Sequence, residues 1–339
     1  MDKNKIDNNF GYPMNLRAYA TRGIIWGQRL VFAKWFKDIS DHRPMPFAYE
    51  QQKANDALKD LLGRRSPCFI GRFGCGELEA TLRGWDIAKP MPKLLKFARI
   101  FTGNFGPFWW DNSIKLGLLR GAGVFPVDEK TLMRFSARML EDSKQLDMLA
   151  SWNSRERQLS KIYFPNALSV PLSTLEPFRY NNPWSMVLKG HKVLVIHPFE
   201  ETIRTQYARR RDLFTDENVM PDFDLITYRP VLSFLGLKTP YKDWFEALNK
   251  MCEDISKIDF DIALIGCGAY GFPLGAFVKR DLARKAIHIG GATQLLFGIR
   301  GGRWDNHTIV KDFYNDYWVR PTAAERPSNA EAVENACYW

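Results

Sequence analysis

With 339 residues and 45% hydrophobic content, the chain can bury a large core, enough for one large or two ordinary domains. No apolar run approaches the ~18 residues that span a bilayer, and Lys3 and Lys5 lead into no apolar signal core, so a globular protein kept in the cytoplasm is expected. A net charge of +10 suits an anionic partner, whether nucleotide sugar, lipid surface or nucleic acid. Dispersed basic residues without a helix-turn-helix, zinc-finger or RNP pattern make nucleic acid the weakest of the three. Cys68, Cys75, Cys252, Cys267 and Cys337 are scattered without a C-x-x-C pair, which indicates neither a disulfide framework nor a zinc cluster.

Residues 1–48 read as a helical extension. Between Leu16 and Ile39, Ile24, Ile25, Leu30, Val31, Trp35 and Phe36 alternate with Arg17, Arg22, Arg29, Lys34 and Lys37, a basic amphipathic pattern. Such a helix either packs on the main domain with a solvated charged face or lies on an anionic membrane surface. A proline-bearing linker at Asp41–Pro46 precedes a domain expected over 49–313, opened by a helix from Tyr49 to Leu62. Pro67–Gly71 then reads as a short buried strand running into Arg72-Phe-Gly-Cys-Gly-Glu77 and a helix from Leu78 to Arg83. Arg72 can fork onto phosphate oxygens, and Glu77, in the helix's first turn, can bind a metal or a sugar hydroxyl. The alternative is an Arg72–Glu77 ion pair with Glu77 favoured by the helix dipole.

Further on, Gly121-Ala-Gly-Val-Phe-Pro introduces a helix expected over Glu129–Met148, and the region through Ser151-Trp152-Asn153 can shape an acceptor groove beside the sheet with exposed aromatics, the alternative being that most of them belong to the core. Lys192–Ile196 is a buried strand that ends in His197, Glu200, Glu201 and Arg204, a general-base and phosphate-binding set at a strand's carboxyl end. Each of these also fits an ordinary turn or helix start. Phe223–Arg229 reads as another strand and Trp244–Ile258 as the crossover helix returning to a strand at Asp261–Ile265.

The most patterned stretch follows. Gly266, Gly268 and Gly271 form a G-x-G-x-x-G turn before a helix at Phe272–Ala283, and the strand Lys285–Ile289 ends in His288 and Gly290-Gly291. Absent side chains let a phosphate approach the N–H groups there, and two such turns side by side make a crevice. A dinucleotide site would also want an acidic residue about 20 positions on. That place reads His288-Ile-Gly-Gly, so a phosphate or nucleotide-sugar site is the better reading, the alternative being glycines that serve only tight βα turns. Residues 314–339, rich in Trp, Tyr and Pro, are expected to pack on the domain as a tail.

Strands that each end in glycine or a polar cluster argue for an α/β fold: a Rossmann-like, mainly parallel sheet flanked by helices, with the site along its carboxyl edge. Arg72-Phe-Gly-x-Gly-Glu77 resembles the R-F-G-D-G-E signature of the GT-D glycosyltransferases, bacterial enzymes of cell-surface polysaccharide and adhesin glycosylation. The Gly266–Leu274 and Gly290-Gly-Ala-Thr-Gln294 segments resemble that family's later glycine turns. The resemblance implies a nucleotide-sugar donor (UDP-, GDP- or dTDP-linked), a polysaccharide or lipid-linked glycan acceptor, and a place in the cytoplasm or at the inner face of the cytoplasmic membrane. It further implies donor contacts from Arg72, Gly74, Glu77, the glycine turns and Gln294, with Glu77 as a ligand to Mg²⁺ or Mn²⁺. Cys75 replaces the signature's aspartate, and a thiol is a poor ligand for those ions, which weakens the metal expectation. Two rival functions are an NAD(P)-dependent oxidoreductase of sugar nucleotides and a non-catalytic nucleotide-sugar-binding subunit of a polysaccharide assembly.

Overall fold

The computed structural model of the chain describes residues 45–101, 108–153, 155–234, 237–327, 330–332 and 336–339. The basic helix expected at 16–39, with nearly all of the 1–48 extension, lies outside the described residues. Seven strands are present: β1 (Phe69–Gly71), β2 (Met148–Ser151), β3 (Leu168–Pro171), β4 (Lys192–Ile196), β5 (Asp224–Tyr228), β6 (Ile262–Ile265) and β7 (Lys285–His288). They form one sheet in the order β3-β2-β1-β7-β6-β4-β5, and every pairing is parallel. With helices on both faces, the fold is Rossmann-like α/β.

Strand periodicity explains the two layers. Phe69, Leu149, Leu194, Ile196, Ala263, Ile265 and Ala286 enter one core with the helices Cys75–Ala88, Glu129–Ser143, Trp244–Ser256 and Gly271–Arg280. Their sequence neighbours Ile70, Met148, Ala150, Val193, Val195, Leu264 and Ile287 enter the other, against the helices Gln51–Gly63 and Glu200–Ala208. Successive residues point to opposite faces, so a strand apolar at every position must be covered on both. Asp128 and Asp243 start two of the helices by accepting the N–H of Thr131 at 2.9 Å and of Glu246 at 2.8 Å. Beyond Tyr314, Trp318 is buried in the second core, where its indole N–H donates to the Leu213 carbonyl at 3.0 Å. No described helix is long and apolar enough to cross a membrane.

Three expectations about elements change. The helix begun at Glu129 stops at Ser143, and the Met148–Ser151 run expected as helix end and loop is β2. Leu and Met favour helix intrinsically, but Asp147 joins this run to β1: its carboxylate accepts the Phe69 N–H at 2.8 Å and its own N–H donates to the Phe69 carbonyl at 3.0 Å. Strand β3 was not expected either; it lies at the sheet edge, where its terminal Pro171 costs no ladder bond. The helix after β1 starts inside the glycine turn, at Cys75, and runs 14 residues to Ala88.

The helix Gly271–Arg280 sits unusually close to β1. A Cβ at Gly275 would overlap the ring of Phe69, which is fully buried and edge-on to Phe272 at 5.1 Å between centroids. Gly275→Ala should therefore destabilise the fold by about 1–3 kcal/mol through overpacking, outweighing the ~1 kcal/mol that alanine adds to a helix. Gly63→Ala, at a glycine with open space around it, serves as the control. Equal chemical-denaturation midpoints for the two variants would refute the close packing.

Candidate functional site

In an all-parallel sheet the carboxyl ends of the strands, and the loops that leave them, share one edge, and ligands bind there where neighbouring loops part to opposite faces. Strands β1 and β7 lie side by side at such a place. After β1 the chain enters the Cys75–Ala88 helix on the first face; after β7 it passes through Gly290 to Leu295 and Leu296 on the second.

Arg72 and Gly290 meet in this gap. Gly290 has φ +75°, a left-handed conformation that brings its backbone to the Arg72 guanidinium, whose Nη1 would lie 3.2 Å from a Cβ there. The Arg72 Nε is buried without a hydrogen-bond partner. Neither Arg72 nor Glu77 forms an ion pair with any described residue, so the Arg72–Glu77 pair considered as an alternative is absent. Glu77 occupies the first turn of the Cys75–Ala88 helix with its carboxylate folded back over Gly74, the residue before that helix. Cys75 beside it is exposed.

The remaining glycines face protein. A Cβ at Gly266 would lie 2.7 Å from the Gly290 carbonyl oxygen and 2.8 Å from the His197 ring, so the turns after β6, β7 and β4 pack directly on one another. Gly271 rests on the ring of His288, and Gly291 on the ring of Tyr338. Gly268, with φ +59°, faces the Ala122 carbonyl 3.1 Å from a Cβ position. It also lines a small cleft of about 40 Å³ bounded by Gly121–Gly123, Pro198, Pro230–Phe234, Cys267 and Tyr270, none of which carries a charge. Within that wall the Ser233 hydroxyl donates to the Gly123 carbonyl at 2.6 Å and shares a hydrogen bond with the Tyr270 hydroxyl at 2.8 Å.

The set expected after β4 does not converge on the gap. Glu200 pairs with Arg204 one helical turn on, and both hold the Thr227 hydroxyl of β5. The N-terminus of the Glu200–Ala208 helix is filled by the chain's own Glu325, whose carboxylate accepts the Glu201 N–H at 2.8 Å, the Thr202 N–H at 3.3 Å and the Thr202 hydroxyl. Gln294 is fully buried and spends its amide N–H groups on the carbonyls of Ile299 at 3.2 Å and Tyr338 at 3.1 Å. His197 and His288 are buried too. Burial pushes the imidazole of His197 down to about 3; burial and then the neighbouring Arg72 charge push His288 down to about 3 as well. His197 Nδ1 accepts the Phe199 N–H at 3.1 Å, which leaves the ring proton on Nε2.

Two residues absent from the expected set border Arg72. Trp152, at the end of β2, has the Arg72 guanidinium over its ring at 5.6 Å. Glu156 is fully buried, and burial raises its carboxyl above the ordinary range despite the nearby Arg72 charge. One of its oxygens takes the Ser151 hydroxyl and the N–H groups of Trp152 (3.1 Å) and Asn153 (3.3 Å), while the other has no partner. An acid three residues after Asn153, itself bonded to the Arg155 N–H at 3.0 Å, is the local signal that marks this turn.

Among the described residues no three His, Cys, Asp or Glu side chains gather as a metal site. Glu77 offers a single carboxylate and Cys75 a soft thiol, a donor set that does not match Mg²⁺ or Mn²⁺. Comparisons with family models, with curated proteins and with solved structures return no match for this chain. Fold and site together define an α/β protein whose carboxyl edge carries an arginine without an acidic partner among the described residues, and a small cleft with uncharged walls at the β6 end.

The two histidines set an acid limit. In the folded state both stay neutral down to about pH 3, whereas the unfolded chain protonates them near 6.5. Stability is thus complete above about pH 6.5 and falls as pH drops from there toward 3, by roughly 1.4 kcal/mol per pH unit for each histidine. Urea midpoints measured between about pH 7.5 and 4.5 should show a shallower fall for His197→Gln and His288→Gln than for the wild type. An unchanged slope in both variants would overturn the assignment.

Proposed function

We propose that this edge binds a nucleotide-diphosphate sugar and that the protein is a glycosyltransferase, passing the sugar to a surface-polysaccharide or lipid-linked glycan acceptor at the inner face of the cytoplasmic membrane. The observation that carries the reading is Arg72: a guanidinium without an acidic partner, on the R-F-G-x-G-E turn, against the left-handed turn at Gly290. A planar cation left unneutralised inside a crevice is suited to forked bonds with phosphate. The uncharged cleft at Gly268 lies across β6 and β4, roughly 10 Å from β1 at two interstrand spacings to β6. In this reading Arg72 takes the diphosphate, and the nucleoside extends along the edge toward the β6 side, over a cleft too small to enclose it.

Transfer breaks the bond between the anomeric carbon and the diphosphate oxygen, which leaves with the electron pair. The acceptor hydroxyl forms the new bond to that carbon and gives up its proton to the departing diphosphate. Arg72 stabilises the charge that grows on the leaving group, and Glu77 holds a hydroxyl of the donor. No step here uses a metal.

Thermal shifts with UDP, GDP, dTDP and NAD(H) test the class of ligand. One nucleoside diphosphate should raise the apparent stability by about 2.7 kcal/mol at a hundred times its Kd. Arg72→Met should cut donor turnover by about 10²-fold, while stability moves by less than about 1 kcal/mol because no ion pair is lost. A response to NAD(H) alone would turn the reading to an oxidoreductase, and an Arg72→Met protein with full turnover would remove the arginine from the site.

A further inference from the structure

Trp152 stands at the carboxyl end of β2, on the side of Arg72 away from the cleft. The residue is 43% exposed, yet it is held at several points. The indole N–H donates at 2.9 Å to the carbonyl of Phe73, inside the R-F-G-x-G-E turn. Its backbone N–H is fixed by the buried Glu156 carboxylate, and Arg155 in the same loop pairs with Glu79 of the Cys75–Ala88 helix at 2.6 Å. A tryptophan exposed by chance on a loop has no reason to be anchored in this way. Here the anchors join the ring to the turn that carries Arg72.

We infer that Trp152 is the platform on which the pyranose ring of the acceptor sugar stacks. The C–H bonds on the flatter side of a pyranose are weakly positive and meet the negative face of an indole, while the hydroxyls stay at the ring's edge for polar partners. Arg72 and Glu77 supply polar partners one strand away, on β1 and its turn. The inference rests on the glycosyltransferase reading: if the diphosphate lies at Arg72 and the nucleoside extends toward β6, the side left open for an acceptor is the β2 side. A rigid ring there loses little freedom on binding, which is how an exposed aromatic gains affinity for a weakly held sugar.

Saturation-transfer NMR with the methyl glycosides of glucose, galactose, mannose and N-acetylglucosamine tests the platform directly. The wild type should pass saturation to the ring C–H protons of at least one glycoside; Trp152→Phe should keep most of that signal and Trp152→Ala lose it, with melting temperatures confirming that both fold. No transfer to any of the four glycosides, or equal transfer in the alanine variant, would overturn the inference. Failure of the donor reading shows separately, as a wild-type protein that no nucleoside diphosphate stabilises, a measurement made without any glycoside.

Discussion

The arrangement at the carboxyl edge depends on how closely the helix Gly271–Arg280 approaches the sheet. Without side chains at Gly271 and Gly275, its first turns rest on the rings of His288 and Phe69. That approach brings Phe272 against Phe69 and stacks it on Phe73 at 4.5 Å between centroids. Phe73 is part of the turn after β1, so the stack fixes the turn from below, and the Phe73 carbonyl in turn receives the Trp152 indole. A contact made by the chain's sixth crossover thus decides where residues of the first two strand ends stand. Aromatic pairs of this kind add ~0.5–1.5 kcal/mol each beyond their buried area, but their larger effect here is on position.

The same close packing sorts the charges. His197 and His288, at the turns of β4 and β7, are buried, so the two imidazoles remain neutral. Two charged groups farther from the gap are compensated where they stand: Arg204 by Glu200, and Asp142, fully buried in the Glu129–Ser143 helix, by Arg138 and Arg280. Arg72 breaks that pattern. It has Trp152 on one side and a half-satisfied Glu156 nearby, too distant for an ion pair but close enough for each to feel the other's charge.

Much of the sheet could be read from sequence because five of its strands are apolar runs bounded by glycine, proline or charge, as at Lys192–Ile196 and Ile262–Ile265. Strands β2 and β3 escaped because neither differs locally from a helix end or a loop. Met148–Ser151 becomes a strand only when Asp147 reaches Phe69, a contact 78 residues apart that no local pattern announces. At the edge, the sequence located the glycine turns but not what fills them. Gly266 and Gly271 look the same whether a ligand or a histidine occupies the space beside them, and Gln294 gives no sign that its amide is committed to Tyr338. Trp152 was legible as an aromatic beside the sheet; its anchoring to Phe73 needed the fold.

Glu325 closes one helix end at this edge. Its carboxylate occupies the amino end of the Glu200–Ala208 helix, a place where backbone N–H groups would otherwise attract an anion. That end is neutralised by the chain itself. The same carboxylate also accepts the Thr322 hydroxyl at 3.0 Å, and the Thr322 N–H donates to the Thr202 hydroxyl at 3.1 Å. The segment around Thr322 is thus clasped to the start of that helix, and its release would uncover N–H groups able to hold an anion.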